Sequence, residues 1–439
     1  MNGVRIIKVA SKLITSLIGI QKISTHVNYR EAKFIIKINS EPYTLYFSCL
    51  TGELIEVINT KSCVNYLIEH FFYVPLDFDE YKYTDELFNI VRKIGNHKKN
   101  SPSIFEILTT TDCNARCFYC YEKQFAKQTM TNYVAQEVAR FVLNNHDKNK
   151  SVKLKWYGGE PLYNINAIDI ITSSLIKNNV RFCSSMITNG LLFSEEIMDK
   201  ATNIWKLRNV RITIDGTESV YNKVKSYIGV NYNPFAQVIK NIELLIKQGI
   251  LVTIRLNIEK YNIKDVKELL RFLTSLFSNI EINFEINLLN NTSSNKLIES
   301  SISVRQSIFY EITNIESYLF DLGYDVNFVK LKGLTVHYCS ADSGNYMLVK
   351  PNGQIAYCSE DFDTKSYGSI LKSSFFDVPN LNGTIHKRNS LCLDCPLFAQ
   401  CRPSKLCPLR NSTCNSLQKE MILSDLHFSI LQTYRKSLL

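Results

Sequence analysis

The chain has 439 residues and a net charge of +10, from 51 lysines and arginines against 41 aspartates and glutamates. This length predicts about three domains, and a composition of 45% hydrophobic and 21% charged residues is typical of a globular protein. No apolar run reaches the roughly 18–20 residues of a membrane span, the basic residues are scattered, and no nucleic-acid motif is present. We therefore expect neither a membrane nor a nucleic-acid partner.

The N-terminus is apolar but carries basic residues and no small-residue cleavage site, so we expect it to be folded and the chain to stay in the cytoplasm. Residues 1–98 predict a small α+β module. Apolar alternation and then helical periodicity predict three strands and two helices, at 33–38, 43–47, 53–58, 62–72 and 84–97. A polar run at 97–102 is typical of a linker.

From 103 to 322 the pattern alternates between strand and helix, which is typical of parallel βαβ units. The predicted strands are 104–109, 152–157, 183–188, 209–214, 251–257 and 281–288. We therefore predict an α/β fold with a partial (β/α)6 barrel resembling a TIM barrel. In such barrels the reactive groups collect at the carboxyl ends of the strands.

Three cysteines follow the first predicted strand within eight residues: Cys113, Cys117 and Cys120. Three soft ligands on one loop favour a metal site or an iron–sulfur cluster with one open position. A structural zinc ion requires four ligands, and no fourth ligand is close in the sequence. In a reducing compartment, such clustered thiols indicate a metal-binding or redox role rather than disulfide bonds.

The later strand ends are also polar or rich in glycine. The second predicted strand runs into Gly158-Gly159-Glu160-Pro161, the third ends at Asn189 and the fourth at Asp215, while the fifth contains Arg255 and Asn257. A single motif of this kind is usually only a turn. Together with the cysteine loop after the first strand, these make five polar or glycine-rich strand ends in series, which predict a site.

Beyond 322 the alternation ends, and residues 323–439 form a cysteine-rich segment. A hairpin is predicted at 346–357 around Asn352-Gly353, and an amphipathic helix near 416–436. Seven cysteines lie in this segment: Cys339, Cys358, Cys392, Cys395, Cys401, Cys407 and Cys414. A zinc-binding or ferredoxin-like module remains an alternative for this region, although only Cys392 and Cys395 form the paired knuckle that zinc prefers.

These motifs, in this order, resemble those of radical-SAM enzymes with a C-terminal SPASM domain, and among them the peptide (RiPP) maturases. The resemblance covers about 103–415 and divides the chain into an N-terminal module (1–98), a radical-SAM partial barrel (103–322) and a SPASM domain (323–439). It implies that Cys113, Cys117 and Cys120 bind a [4Fe–4S] cluster whose open iron accepts S-adenosylmethionine.

The resemblance also implies roles for the strand ends in binding S-adenosylmethionine. Gly158 and Gly159 would let the backbone approach the methionine moiety, Glu160 would pair with its ammonium group, and Pro161 completes that motif. Asn189 and Asp215 would face the ribose and the substrate. Relatives often place an Arg where this chain has Lys225, which could offer the carboxylate a point charge but not a bidentate fork.

By position, the seven later cysteines resemble the ligands of two auxiliary [4Fe–4S] clusters, which would make three clusters in all. Cys339, Cys358 and Cys407 would bind the first. Cys392, Cys395, Cys401 and Cys414 would bind the second. This chain has five residues between Cys401 and Cys407 where the family has three, and the first auxiliary cluster would have an open iron or a ligand other than cysteine. Glu360 and Asp361, just after Cys358, are candidate proton acceptors, with surface acids as the alternative.

The resemblance predicts an enzyme that modifies a ribosomally made peptide through a 5′-deoxyadenosyl radical, forming a thioether or carbon–carbon crosslink or a similar oxidation. Its partners would be a precursor peptide with a leader and a reductant such as flavodoxin or ferredoxin. Residues 1–98 would recognise the leader by strand addition, or else only pack on the barrel. The alternatives are a sulfatase-type maturase that oxidises a residue of a protein and a non-catalytic iron–sulfur electron carrier.

Overall fold

The computed structural model describes residues 3–19, 27–96, 101–289, 302–326, 331–335, 343–356, 368–371, 390–393, 395–401 and 416–438. The chain folds into two compact units. The first consists of residues 1–99, 328–343 and 379–439, and the second of residues 100–327 and 344–378. The first and last segments of the sequence therefore belong to one compact unit. The division into 1–98, 103–322 and 323–439 remains a prediction.

In its described residues, the first unit contains a four-stranded antiparallel sheet and a separate two-stranded ribbon. Its strands are β1 (Val4–Lys8), β2 (Tyr29–Glu31), β3 (Ile35–Ser40), β4 (Tyr43–Ser48), β5 (Leu54–Val57) and β6 (Tyr73–Pro75). Its first three helices are α1 (Lys12–Ile18), α2 (Val64–Glu69) and α3 (Glu80–Asn96). The sheet order is β1-β5-β4-β3, and β2 pairs with β6.

The three predicted strands and two predicted helices of this module are confirmed, but three further strands and the helix α1 were missed. Strand β1 contains adjacent apolar residues, Ile6 and Ile7, which hide a period of two. Strands β2 and β6 have three residues each, and three residues are too few to establish a periodicity.

The described residues of the second unit contain one sheet of eight strands. They are β7 (Ile104–Thr110), β8 (Val152–Gly158), β9 (Phe182–Thr188), β10 (Leu207–Thr213), β11 (Leu251–Ile258), β12 (Ile282–Leu288), β13 (Tyr346–Val349) and β14 (Ile355–Ala356). The order is β12-β11-β10-β9-β8-β7-β13-β14, and β7 to β12 are parallel neighbours. The predicted α/β class and the six strands of a partial barrel are confirmed.

In the described residues, seven helices accompany these strands. They are α4 (Asn132–Asn145), α5 (Ile165–Lys177), α6 (Glu195–Asn203), α7 (Glu218–Lys225), α8 (Pro234–Lys247), α9 (Ile263–Leu276) and α10 (Ile302–Asp321). Several begin at a residue whose side chain accepts a backbone N–H bond, such as Thr131, Ser194 and Asn233, which stabilises the first turn. The short helix α7 was not predicted, and it carries Lys225.

The predicted hairpin after residue 345 is confirmed, but it belongs to the barrel sheet. Strand β13 lies parallel to β7, with Leu348 opposite Glu106, and β14 pairs with β13 in the antiparallel sense. The described part of the chain contains no helix long and apolar enough to cross a membrane.

The last helix, α11 (Ser416–Lys436), belongs to the first unit. One hydrophobic core contains Phe34 and Phe47 from the N-terminal strands together with Phe398, Leu426 and Ile430 from the end of the chain. The rings of Phe34 and Phe398 are stacked with their centroids 5.3 Å apart. The N-terminal sheet therefore completes its core with residues that lie more than 300 positions later in the sequence.

Candidate active site

The three-cysteine loop begins where β7 ends, as predicted, and hydrogen bonds hold it at several points. The N–H of Thr111 donates to the Gln128 carbonyl at 2.8 Å, and the N–H of Arg116 donates to the Lys225 carbonyl at 2.8 Å. The N–H of Ile228 donates to the Asn114 carbonyl at 2.9 Å. The loop is therefore attached to the segment that follows β10 as well as to its own strand.

Cys113, Cys117 and Cys120 are all half-buried. Among the described residues, no three histidine, cysteine or acidic side chains converge as ligands of a single metal ion. A four-iron cluster does not need such convergence, because each cysteine binds a different iron.

Burial raises the pKa of all three thiols. Burial and the nearby Glu160 raise the pKa of Cys113 to about 12, and burial and Glu122 raise that of Cys120 to about 11. Burial also raises the pKa of Cys117, although the Lys225 ammonium group acts in the opposite direction. Without iron these sulfurs are neutral thiols, and metal binding releases their protons.

The two glycines after β8 allow the cysteine loop to pack closely against that strand. A Cβ on Gly158 would lie 2.2 Å from the Thr110 carbonyl oxygen, and one on Gly159 would lie 2.1 Å from the Asp112 oxygen. Gly158 also has a φ of 120°, which side chains rarely adopt. Both glycines are thus required by the fold of the loop itself, a reason that differs from the expected approach to a ligand.

Glu160 is fully buried and joins the ends of β8 and β9. Its carboxylate accepts from the Thr188 hydroxyl at 2.8 Å, the Asn189 N–H at 2.9 Å and the Leu162 N–H at 3.1 Å. Burial raises its pKa to about 7, while these donors act in the opposite direction. The next residue, Pro161, opens a short buried 3-10 turn.

Asn189 reaches the cysteine loop from the end of β9. Its amide Nδ2 donates to Asn114 Oδ1 at 2.6 Å and lies 3.8 Å from Cys113 Sγ. The Nδ2 group of Asn114 is buried and has no hydrogen-bond partner among the described residues. Because an unpaired buried donor is costly, this amide fits a bound group that accepts hydrogen bonds, such as a sulfide or a carboxylate.

Asp215 and Lys225 form a buried ion pair at the end of β10. The distance from Lys225 Nζ to Asp215 Oδ2 is 3.1 Å, and the two side chains are 4% and 0% exposed. Burial lowers the pKa of the Lys225 ammonium group, but Asp215 and other neighbours outweigh this and leave it well above its ordinary value. Because the Lys225 ammonium group is already paired with Asp215, binding of a methionine carboxylate by Lys225 would compete with the ion pair.

Tyr119, the aromatic residue directly before the third cysteine, connects the loop to this pair. Its hydroxyl bonds the Asp215 carboxylate, and Lys225 Nζ lies 3.1 Å from its oxygen. Burial and the Asp215 charge raise its pKa well above the ordinary value. This contact could not be predicted from the sequence, because the partners are 96 residues apart and no local spacing indicates it.

A buried asparagine beside Asp215, Asn262, was also not predicted. Asn262 Nδ2 donates to the Asp215 carbonyl at 2.7 Å and to the Asn257 carbonyl at 2.9 Å. The N–H of Asn257 in turn donates to Asp215 Oδ1 at 3.2 Å. The only available signal was that an asparagine follows shortly after a polar strand end.

The remaining predicted site residues are only partly covered by the structure. Cys392, Cys395 and Cys401 are half-buried in the first unit, and the N–H of Cys395 donates to the Cys392 carbonyl at 3.3 Å. The others lie outside the described residues: Cys339, Cys358, Cys407, Cys414, Glu360 and Asp361.

Comparisons with known proteins bear on the second unit most directly. Residues 107–273 match the Radical SAM superfamily. The chain is also 27% identical, over 149 residues, to the radical SAM cyclopropyl synthase TigE of Paramaledivibacter caminithermalis. That match covers 28% of this chain and 31% of TigE, so the chain spans less than a third of this relative's length.

Two solved structures share the fold at low identity. The structure of anSMEcpe with bound AdoMet and the Cp18Cys peptide matches with a TM-score of 0.57 and 16% identity, over 76% of this chain and 99% of that one. Streptococcus suis SuiB bound to precursor peptide SuiA matches with a TM-score of 0.54 and 14% identity, over 85% and 95%. The loop of three cysteines and the polar strand ends lie within the matched family region, and this chain therefore contains a radical SAM superfamily domain at residues 107–273.

Proposed function

We propose that this protein is a radical SAM enzyme that modifies a ribosomally made peptide. The observation that carries the proposal is the position of three thiols on one loop beside the polar ends of β8, β9 and β10. The fold it shares with anSMEcpe and SuiB, both solved with peptides bound, supports a peptide as the substrate. The bond formed would be a thioether or carbon–carbon crosslink, or a similar oxidation.

The donor set fits the cofactors that this family uses. Cys113, Cys117 and Cys120 would hold a [4Fe–4S] cluster, and the unpaired Asn114 amide beside them would donate to it or to its ligand. S-adenosylmethionine would lie against the segment from Gly158 to Pro161 and near Asn189. When bound, the two cofactors supply one-electron chemistry that removes a hydrogen atom from the substrate.

The residues of the chain hold this site in a fixed geometry. Glu160 keeps the ends of β8 and β9 together and presents a carboxylate that would pair with the ammonium group of methionine. Asp215, Lys225 and Tyr119 tie the cysteine loop to β10. Such support is needed because a reacting centre loses rate steeply when its groups are misplaced by about 1 Å.

Two auxiliary clusters are part of the proposal. Cys392, Cys395 and Cys401 lie on one short segment of ten residues, which suits ligands of a common cluster together with Cys414. Cys339, Cys358 and Cys407 would bind the other. Glu360 or Asp361 would accept the substrate proton, and flavodoxin or ferredoxin would supply electrons.

We also propose that the N-terminal sheet receives the leader of the peptide. Strand β3 is at one end of the order β1-β5-β4-β3, and a terminal strand can accept a further strand through its free backbone groups. Deleting residues 1–98 would not test this cleanly, because those residues share a core with Phe398, Leu426 and Ile430. A proline within β3, at Lys37, would block strand addition while keeping the core side chains.

The proposed reaction is tested by co-expressing the chain with short peptides encoded beside its gene and measuring their masses. A mass loss of two hydrogens, absent with Cys113→Ala, is the expected result. The same purified chain, reconstituted anaerobically, should release 5′-deoxyadenosine when reduced. Release without any modified peptide would point to a protein substrate, as in a sulfatase-type maturase, and no release from iron-loaded chain would favour an electron carrier.

A further inference from the structure

The strands β10, β11 and β12 have one apolar face and one polar face. Because side chains alternate along a strand, residues such as Val210, Ile254 and Phe284 share the face that is fully buried. The opposite face has polar residues in succession: Asn209, Arg211, Thr213, Thr253, Arg255, Asn257, Asn283, Glu285 and Asn287. A barrel interior that serves only for packing is filled by branched apolar side chains, so this polar face requires another explanation.

Two arginines on this face share one carboxylate. Arg211 Nε lies 2.6 Å from Glu285 Oε2, and Arg255 Nε lies 3.8 Å from Glu285 Oε1. Arg255 Nε also donates to Asn257 Oδ1 at 3.1 Å. The register agrees with this arrangement, since Arg255 lies between Thr213 and Glu285 on the neighbouring strands.

Both guanidinium groups approach Glu285 through Nε, and the Nε of Arg255 is also hydrogen-bonded to Asn257. Their side chains are 34% exposed, whereas Glu285 is 12% exposed. Within the described parts of the chain, the terminal nitrogens of neither arginine donate a hydrogen bond to another residue. Two positive charges facing one negative charge leave an excess of one positive charge, with a pair of donor forks that match a carboxylate.

This cluster lies close to the proposed reaction site. Asn257, whose N–H donates to Asp215, is two residues after Arg255 on the same face of β11. Two residues along a strand correspond to about 6.6 Å. A group bound by the arginines would therefore lie about one layer of side chains below the strand ends that face the cysteine loop.

We propose that Arg211 and Arg255 form a binding site for an acidic side chain of the peptide substrate. The inference rests on the proposed function and adds the substrate class: a peptide with an aspartate or glutamate near the modified residue. Glu285 and Asn257 are positioning residues, since they fix the two guanidinium groups without reaching the substrate.

The test is a selection of random linear peptides displayed on their own mRNA, carried out anaerobically on the full chain loaded with iron–sulfur clusters and S-adenosylmethionine. The test variant is R211Q/R255Q. The matched control, R140Q/R271Q, removes the same two charges from exposed positions on α4 and α9. Because the chain carries a net charge of +10, this control separates a specific site from general attraction to acidic peptides.

We expect the selected peptides to carry aspartate or glutamate at a fixed position. This enrichment should be about tenfold greater with the unchanged chain, and with R140Q/R271Q, than with R211Q/R255Q. R211K/R255K, which keeps both charges and the contact with Glu285 but lacks the fork, should show an intermediate enrichment. Equal enrichment in all proteins, or none in any, would overturn the proposal. If R211Q/R255Q does not fold, the comparison of R211K/R255K with the unchanged chain decides.

A second measurement separates the substrate from the cofactor as the source of the carboxylate. Equilibrium dialysis should give R211Q/R255Q the same affinity for S-adenosylmethionine as the unchanged chain. A tenfold weaker affinity would assign the arginines to the methionine carboxylate and overturn the proposal. Because both measurements record binding alone, failure to modify any peptide would refute the proposed function and leave this inference standing.

Discussion

The ion pair between Lys225 and Asp215 gives the sharpest prediction about stability. We consider Lys225→Met, which keeps the length of the side chain and removes its charge. The change leaves the Asp215 carboxylate, 0% exposed, with the Tyr119 hydroxyl and the Asn257 N–H as its remaining partners. Two neutral donors do not compensate for a buried charge that has lost its counterion.

The expected loss follows from the depth of the pair. Removing one partner of a buried ion pair costs about 3–5 kcal/mol, because the other charge stays behind uncompensated. For a folding unit of this size each 1 kcal/mol lowers Tm by roughly 2–4 °C. We therefore expect Lys225→Met to lower the free energy of unfolding of the second unit by about 3–5 kcal/mol, which corresponds to a fall in its thermal midpoint of at least about 6 °C.

The assay can follow the second unit alone. The chain has two tryptophans, Trp156 and Trp205, and both are fully buried in that unit. Tryptophan fluorescence during urea unfolding of the cluster-free chain, kept reduced, therefore reports this unit and avoids any effect of iron content. The slope with urea concentration should stay unchanged while the midpoint falls.

A double-mutant cycle tests whether Lys225 and Asp215 interact as an ion pair or only lie close together. Asp215→Asn combined with Lys225→Met removes both charges, and the double variant should recover at least about 1 kcal/mol relative to the sum of the single losses. Strict additivity would show that the two groups do not interact. A loss below about 1 kcal/mol for Lys225→Met, the size typical of exposed pairs, would refute the reasoning.

Three other changes test separate parts of the structure. Gly159→Ala places a Cβ 2.1 Å from the Asp112 oxygen and should displace the cysteine loop, so the reconstituted iron content should fall. The control is Gly249→Ala, which strains a backbone with a φ of 70° after α8 but places the Cβ where nothing lies within 4 Å; equal iron content in the two variants would contradict the prediction. Phe398→Ala should lower the free energy of unfolding by about 3–5 kcal/mol and should raise amide hydrogen exchange in both α11 and β4. Faster exchange in α11 alone would show that the core is not shared. Burial raises the pKa of Asp425 from 3.8 to about 6, so its charge destabilises the folded chain fully above pH 6 and not at all below about pH 4. Asp425→Asn should therefore stabilise the chain by up to about 3 kcal/mol at pH 8 and leave it unchanged at pH 4, as judged by circular dichroism, and a pH-independent gain would refute the assignment to the carboxyl group.

The sequence predicted those features that depend on local order. Apolar alternation located the strands from β7 to β12, and the polar ends of those strands indicated where a site would form. The contacts of Tyr119 with Asp215 and of Asn114 with Asn189 could not be predicted, because each joins residues at least 75 positions apart. Periodicity shows that a side chain is buried, but it does not identify the surface that buries it.

The glycines after β8 illustrate the same limit from another side. The family resemblance implied that they let the backbone approach a methionine moiety. Only the structure shows that their nearest neighbours are the carbonyl oxygens of Thr110 and Asp112. The hydrophobic core that unites Phe34 with Phe398 is a second example, since neither segment has a local pattern that specifies its partner.

That shared core has a consequence for synthesis on the ribosome. The N-terminal strands emerge long before the residues that cover them, because Phe398, Leu426 and Ile430 lie more than 300 positions later in the sequence. At the usual rates of elongation, the first unit must keep an apolar surface uncovered for about 15–80 s. We therefore expect the second unit to fold while the first waits, and we expect nascent chains that stop before residue 398 to depend on chaperones.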